Sequence, residues 1–339
     1  MDHEITGTVP DPGLIMELAS AFYGSCVLFT ASDLGIFAKL AEMESADAAM
    51  VAGRLGSDVR ATTLLLDGCV ALGLLSKTRS MYRNTASTAA FLVPGRPGDL
   101  SRAIRFNRDV YEAWGKLPAF VKAGVPVEPP EAHLGDDVER TRTFVLSMHG
   151  RAMGIGRAVV AQLDLTGRKQ MLDIGGGPGT YSTLIVQAYP ELKSTVLDLP
   201  GVVAVGSELV AQAGASDRVT MLPGNYHSTP YPVGNDVVII FGVLHQESAE
   251  SIAAILRRAY GALVPGGVIY ILDMMTDETH TKPVFSALFA LNMALIAKDG
   301  WVFSDKELCG WLEQAGFVDF EVRPVAPPMP HWLAFARKP

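Results

Sequence analysis

The stretch Met171–Pro190, MLDIGGGPGTYSTLIVQAYP, places three consecutive glycines between an apolar segment and an amphipathic one. The residues before the glycines have the length of a buried strand, and those after them have the apolar spacing of a helix. Glycine has no Cβ, so a ligand can approach this main chain closely, and the following helix offers its N-terminal amides. The order therefore predicts a ligand-binding loop between a strand and a helix of an α/β sheet.

The alternation of strand and helix patterns continues to the C-terminus. After Gly167, apolar runs such as KSTVLDLP, DVVIIFG and GVIYILDMM alternate with helical segments. Strands that are almost continuously Val, Ile and Leu indicate a parallel sheet with helices on both faces. We therefore predict an α/β fold, a doubly wound Rossmann-like sheet, over residues 165–339.

The N-terminal part is predicted to be mainly helical. Residues 12–43 have apolar side chains on most faces, so this helix must be buried, and we expect it to lie against a second subunit. Two further helices and a short hairpin in LLSKTRSMYRNT follow, which is the order of a winged helix. The predicted domains are a winged-helix domain over 1–100, a helical linker contributing to the site over 101–164, and the ligand-binding domain over 165–339.

Composition limits the class of protein. The net charge is −8, which disfavours nucleic acid and anionic membranes as partners. The 3 cysteines show no metal or redox spacing and indicate a reducing cytoplasm. Pro283–Ala297, the longest apolar run, is shorter than the roughly 18 residues of a membrane span and predicts a buried or site-covering helix. We expect a cytoplasmic protein without a metal.

The ligand is expected to be a nucleoside. Asp198 ends the next predicted strand, 198 − 179 = 19 residues after Gly179, where a carboxylate can bind both ribose hydroxyls. Thr180 stands where the nicotinamide fingerprint G-x-G-x-x-G needs its last glycine, which disfavours a dehydrogenase. The spacing is instead D-x-G-G-G-x-G, in which Asp173 can face an ammonium group directly or through water.

This spacing resembles motif I of S-adenosylmethionine-dependent methyltransferases. Further segments resemble the small-molecule O-methyltransferase family that includes caffeic acid, acetylserotonin and bacterial polyketide O-methyltransferases; they are LLDGCVALGLLSK, FVLSMHGRAM, VLDLPGVV, GALVPGGVIYILDMM and SDKELCGWLEQAGF. The likeness covers nearly the whole chain. It implies S-adenosyl-L-methionine as cofactor, a homodimer formed through the N-terminal domain, and O-methylation of an aromatic or polyketide-like hydroxyl of a small-molecule acceptor.

The resemblance also assigns binding residues. The cofactor contacts it implies are Asp173, Gly175, Gly177, Gly179, Asp198, Leu199, Asn225, Tyr226, Phe241, Phe144 and Met148. The family usually has Asp in place of Asn225, so we expect a weaker contact with adenine there. The acceptor pocket is expected to contain Trp114, Met148, Phe289, Met293 and Trp301, since aromatic and Met side chains suit flat rings.

The implied general base is His245, which closes the strand segment DVVIIFGVLH. A phenol has a pKa near 10, so a histidine that removes its proton assists the transfer. Asp273 takes the place of one family glutamate that orients this histidine, whereas Val302 takes the place of the second. Gln246 and Glu247 replace the plant-type Asp-Trp.

These departures leave two alternatives open. One is a C- or N-methyltransferase of the same fold that works by proximity without a strong base. The other is a winged-helix regulator that binds DNA, although residues 46–93 contain only five basic against three acidic side chains.

Overall fold

The computed structural model describes residues 10–96, 98–128, 137–327 and 329–339. The chain divides into two compact units, one ending at Arg105 and the other spanning Phe106–Pro339. The predicted helical linker over 101–164 lies partly outside the described residues. Each unit has a hydrophobic core of its own.

The first unit is helical with one hairpin. Its elements are α1 (Gly13–Ser20), α2 (Phe22–Asp33), α3 (Ile36–Met43), α4 (Ala48–Leu55), α5 (Val59–Ala71), β1 (Leu75–Thr78), β2 (Met81–Asn84) and α6 (Ala86–Phe91), and α7 (Ser101–Asp109) crosses the boundary. The predicted helix 12–43 is divided because Gly35 adopts a left-handed φ of 69°. Asp47 and Asp58 begin α4 and α5 by accepting hydrogen bonds from main-chain amides of the first turn.

Helices α1 and α2 expose an apolar surface. Leu14, Ile15 and Leu18 keep 68%, 69% and 67% of their surface accessible. Among the described residues, Gly13–Asp33 is the helical stretch long and apolar enough to cross a membrane, judged by length and composition only. This stretch is longer than the apolar run Pro283–Ala297. Polar residues interrupt it, so it does not stand out in the sequence as one continuous apolar run.

The second unit contains the predicted sheet. Its helices are α8 (Tyr111–Gly115), α9 (Leu117–Ala123), α10 (Val138–Val160), α11 (Thr180–Ala188), α12 (Pro200–Gln212), α13 (Ala249–Ala262), α14 (Val284–Ile296) and α15 (Asp305–Ala315). Its strands are β3 (Gln170–Ile174), β4 (Lys193–Asp198), β5 (Val219–Pro223), β6 (Asn235–Phe241), β7 (Leu263–Asp273), β8 (Val318–Pro324) and β9 (Trp332–Arg337).

The strand order is β5-β4-β3-β6-β7-β9-β8. Strands β3 to β7 are parallel, whereas β9 pairs antiparallel with both β7 and β8. The chain runs outward from β3 to β5 and then returns to β6, so the strand order reverses between β3 and β6. A reversal of this kind leaves a crevice outside the carboxyl ends of the strands. The predicted doubly wound sheet is confirmed, with one antiparallel strand, β9, inserted between β7 and the edge strand β8.

The segment after α14 is tightly packed around Gly300. A Cβ at Gly300 would overlap the main-chain carbonyl of Met293, whereas a Cβ at Gly261 in α13 would meet open space. We expect Gly300→Ala to lower the free energy of unfolding by about 1–3 kcal/mol. Gly261→Ala should raise it by about 0.5–1 kcal/mol, because alanine is the better helix former. Urea unfolding of both variants measures the two effects, and equal effects would contradict the packing described.

Candidate functional site

The glycine loop joins β3 to α11 in a conformation that L side chains rarely adopt. Gly175, Gly177 and Gly179 have φ angles of 66°, 56° and 69°. A Cβ at Gly175 would lie 2.7 Å from Val243, whereas a Cβ at Gly177 would meet nothing within 4 Å. The loop is therefore packed on one side against the segment that follows β6 and is open at Gly177, where a ligand can reach the main chain.

Asp198 lies at the carboxyl end of β4 and holds this loop. One carboxylate oxygen accepts a hydrogen bond from the Gly177 amide at 2.7 Å, and the other accepts one from the Leu199 amide at 2.7 Å. Burial raises the pKa of Asp198, and these two amides oppose the rise. Each oxygen keeps a further lone pair, so the carboxylate fits the two ribose hydroxyls of an adenosyl cofactor.

Asp173 lies beneath the loop instead of beside it. Its carboxyl group occupies the space into which a Cβ at Gly176 would project, and it accepts a hydrogen bond from Ser182 at 2.6 Å. Its Oδ1 atom has no partner among the described residues. Burial raises the pKa of Asp173 to about 7. This position favours a water-mediated contact with the cofactor ammonium over a direct one.

Tyr226 lies next to the loop, because a Cβ at Gly175 would be 3.6 Å from its ring. Its hydroxyl donates to Glu247 at 2.6 Å, and the other oxygen of Glu247 accepts from Ser251 at 2.5 Å. Glu247 is only 7% exposed. The sequence indicated this residue merely as a departure from the plant-type motif, and its pairing with Tyr226 was missed.

Asn225 is exposed at the same turn. Its side-chain oxygen accepts a hydrogen bond from the main-chain amide of His227 at 2.8 Å, and the main-chain amide of Asn225 donates to the Thr229 hydroxyl. The oxygen predicted to meet adenine therefore already stabilises the turn, although it can accept a second hydrogen bond. The predicted weak contact of Asn225 with adenine stays a prediction.

His245 lies in a single-turn 3-10 helix, Leu244–Gln246, after β6. Its Nδ1 atom is 2.6 Å from Oδ1 of Asp273, at the end of β7. Asp273 is 1% exposed and also accepts hydrogen bonds from the main-chain amides of His245 and Met274. The pairing predicted from two strand ends is present, and with Nδ1 engaged, Nε2 is the ring nitrogen that can meet an acceptor. Val302, at the predicted place of a second carboxylate, is a buried apolar side chain.

Four of the five predicted acceptor-pocket residues lie together. Met293 belongs to a cluster around α8 and α14, against which Trp114, Met148 and Phe289 pack. The Phe289 ring meets the His245 imidazole edge-to-face, with 5.3 Å between ring centroids. This cluster adjoins the histidine and is apolar, as the sequence predicted.

Trp301, the fifth residue, lies in a different cluster, against Phe303 and Trp311. Its main-chain amide donates to the His245 carbonyl at 2.9 Å, and its indole nitrogen donates to the Glu247 carbonyl at 2.7 Å. Trp301 therefore fixes the segment that carries the histidine.

The remaining predicted cofactor contacts are Phe144 on α10 and Phe241 on β6. Phe144 packs with Leu199 at the beginning of α12. Phe241 is buried at the end of β6 with its ring edge-to-face against Tyr181. Both elements thus approach the crevice beside the glycine loop.

The raised pKa of Asp173 predicts a pH-dependent stability. The folded pKa, about 7, exceeds the ordinary value of 3.8, so the favourable contribution is fully present below about pH 4 and is lost as pH rises through 7. Asp173→Asn should therefore gain stability relative to the parent by up to about 1.4 kcal/mol per pH unit within this window. Chemical denaturation from pH 5 to pH 8 measures the gain, and parallel curves for the two proteins would refute the assignment.

Comparison with known proteins identifies the family of this chain. A family model described as an O-methyltransferase domain matches residues 115–318, and one described as an O-methyltransferase dimerisation domain matches residues 16–94. The chain is 31% identical over 318 residues to 3-hydroxy-5-methyl-1-naphthoate 3-O-methyltransferase of Streptomyces sahachiroi, covering 92% of each chain. It is 31% identical over 336 residues to the tetracenomycin polyketide synthesis 8-O-methyl transferase TcmO of Streptomyces glaucescens, covering 98% of each chain.

A solved structure is equally similar. Human N-acetylserotonin methyltransferase in complex with S-adenosylmethionine superposes with a TM-score of 0.88 at 28% identity, covering 98% of this chain and 99% of that one. The chain therefore belongs to the O-methyltransferase family and is an S-adenosylmethionine-dependent methyltransferase with a dimerisation domain.

Proposed function

We propose that the protein methylates a hydroxyl group of an aromatic or polyketide-like small molecule, with His245 as general base. The observation that carries this proposal is the His245–Asp273 pair at 2.6 Å, whose imidazole meets Phe289 of the apolar cluster around α14. His245 comes two residues after Val243, the side chain that lies next to Gly175 of the glycine loop. The two bacterial relatives act, by their names, on a hydroxynaphthoate and on a tetracenomycin polyketide.

The chain's own residues perform three tasks in this reaction. Asp198 and the open main chain at Gly177 bind the adenosyl group, and the cluster with Phe289 and Met293 orients the acceptor ring. Asp273 accepts a hydrogen bond from the protonated Nδ1 of His245, so Nε2 can accept the proton of the hydroxyl. When bound, S-adenosylmethionine supplies a methyl group activated by its sulfonium. Orientation contributes effective molarities of roughly 10⁵–10⁸ M, and a general base contributes about 10²–10⁴-fold.

The same reasoning extends to partners. The exposed apolar surface of α1 and α2 falls largely within the segment matched by the dimerisation domain, so we assign it to burial against a second copy of the chain. This assignment accounts for the apolar stretch Gly13–Asp33 without a membrane. With a net charge of −8, a cytoplasmic homodimer without a nucleic-acid partner is the state we propose.

A C- or N-methyltransferase is the second candidate. It is favoured by one observation, the buried Val302 where a second carboxylate would support the histidine. The test incubates the protein with S-adenosylmethionine and 3-hydroxy-1-naphthoate, 2-naphthol or 2-naphthylamine. Mass spectrometry detects a methylated product, and carbon NMR distinguishes a methyl ether from methyl bound to carbon or nitrogen. Methyl ethers support the proposal, whereas exclusive C- or N-methylation replaces it.

Glu247 is expected to position Tyr226 for the cofactor. Tyr226→Phe and Glu247→Gln each weaken a hydrogen bond to a buried carboxylate, so each should raise the Kd of S-adenosylhomocysteine by about 3- to 30-fold. Because both residues act through one hydrogen bond, the Kd of the double variant should be little higher than the larger of the two single-variant Kd values. Calorimetry measures the affinities, with Ser228→Ala in the same exposed turn as control. Additive losses would show that the two residues act separately.

The base role of His245 makes a kinetic prediction. His245→Ala should lower turnover by about 100-fold or more, because proton removal from a weakly acidic phenol is lost. The deficit should shrink for acceptors whose hydroxyl has a lower pKa, while the Kd of S-adenosylhomocysteine stays unchanged. A fall of less than about threefold on a weakly acidic phenol would make His245 a wall of the pocket and not a base.

A further inference from the structure

Helix α10 contacts both halves of the proposed site through two neighbouring residues. Met148 packs against the apolar cluster that contains Phe289 and Met293. His149, the next residue, lies instead against the beginning of α11, where its Nδ1 atom is 2.7 Å from the hydroxyl oxygen of Thr180. Successive side chains of a helix point about 100° apart. One turn of α10 therefore reaches both the acceptor cluster and the helix that follows the glycine loop.

Thr180 lies at the end of the glycine loop. It is the first residue of α11, it is buried, and it directly follows Gly179 with its left-handed φ of 69°. Gly179 is the N-cap of α11 and has no side chain with which to cap the helix. Asp198 holds the middle of the loop through the amide of Gly177. The contact between His149 and Thr180 holds the other end of the loop from the side of α10.

The two helices are tightly packed beyond this contact. A Cβ at Gly156 of α10 would lie 2.5 Å from the Leu184 side chain of α11. Val159 and Ile185 join Leu184 in one buried cluster. Closely packed protein interiors transmit displacements instead of absorbing them. A movement of the first turn of α11 would therefore be transmitted to α10, and with it to Met148.

We propose that His149 is a positioning residue whose hydrogen bond to Thr180 couples cofactor binding at the glycine loop to acceptor binding against Met148. A cofactor at Gly177 fixes the loop and the first turn of α11, and His149 transmits this constraint to the turn of α10 that contacts the acceptor cluster. Alignment matters because a displacement of about 1 Å can cost about 10²-fold in rate. This inference rests on the proposed function, because it takes the apolar cluster as the place of the acceptor.

Calorimetry measures the coupling as a ratio, the Kd of 2-naphthol without S-adenosylhomocysteine divided by its Kd with it. We expect a ratio of about five or more for the parent protein. His149→Phe and Thr180→Val each remove the hydrogen bond and should lower the ratio about threefold or more. The double variant should lower it no further, because both residues act through one contact. Direct contact between the two ligands adds to every ratio, so the differences among variants measure what the hydrogen bond contributes.

Conservative variants separate this role from general packing. Thr180→Ser keeps the hydroxyl, and His149→Asn keeps a polar atom near the place of Nδ1, so both should retain most of the coupling. Ser147→Ala is the matched control, because it removes a buried hydroxyl that donates to the Thr143 carbonyl within α10 at 2.9 Å. The control should leave the ratio unchanged. Each ratio is taken within one protein, so partial unfolding changes the number of binding sites and not the ratio.

Steady-state kinetics with 2-naphthol give a second readout. His149→Phe should lower kcat about tenfold, while the KM of S-adenosylmethionine changes by less than about threefold. A tenfold rise in the Kd of S-adenosylhomocysteine with unchanged kcat would overturn the inference, since His149 would then support the cofactor site alone. A parent ratio near one, or an equal fall of the ratio in Ser147→Ala, would also overturn it. Methylation of carbon or nitrogen only would replace the proposed function and leave the coupling ratios standing.

Discussion

The hydrogen bond from the Gly177 amide to Asp198 is the interaction on which the site depends. It joins the loop after β3 to the end of β4, so the left-handed glycines and the carboxylate are held as one unit. The same carboxylate accepts the Leu199 amide and thereby fixes the beginning of α12. Because these amides use only part of its acceptor capacity, Asp198 can support the loop and bind a ribose at the same time. The proposed cofactor site is thus largely held by contacts within the protein itself, which reduces the entropy that binding must overcome.

The acceptor side is held in a different way. His245 lies in a single turn after β6, which by itself would leave the imidazole poorly fixed. Asp273 binds both its ring and its main chain, and Trp301 binds the carbonyls of His245 and Glu247. Three of these contacts involve main-chain atoms, two of them those of His245 itself, so the position of the histidine depends little on a second carboxylate. A buried Val302 removes charge from beside the imidazole but leaves these contacts intact.

The contacts that the sequence could predict are those set by strand ends. The glycine loop, Asp198, His245 and Asp273 each close an apolar run, and parallel strands bring their carboxyl ends to one edge. Contacts between distant segments left no such trace. Tyr226 and Glu247 are 21 residues apart and meet only because β6 and the following turn place them together. Trp301 is a typical pocket residue by its side-chain type, whereas its location follows from its hydrogen bonds to His245 and Glu247 and from its ring contact with Trp311. The antiparallel pairing of β8 with β9 is likewise set by tertiary packing, whereas the break at Gly35 follows from a left-handed glycine that apolar periodicity does not reveal.

The acidic groups of the proposed site lie on the side of the glycine loop. Asp198 accepts a hydrogen bond from the Gly177 amide, Asp173 lies beneath Gly176, and Glu247 accepts a hydrogen bond from Tyr226. In a low-dielectric crevice such carboxyl groups attract a positively charged ligand more strongly than they would in water. A cofactor that carries a sulfonium and an ammonium therefore suits this side, whereas the apolar cluster around Phe289 and Met293 suits an aromatic ring. Because the His245 imidazole meets the Phe289 ring, the base of the proposed reaction adjoins the surface on which that aromatic ring would lie.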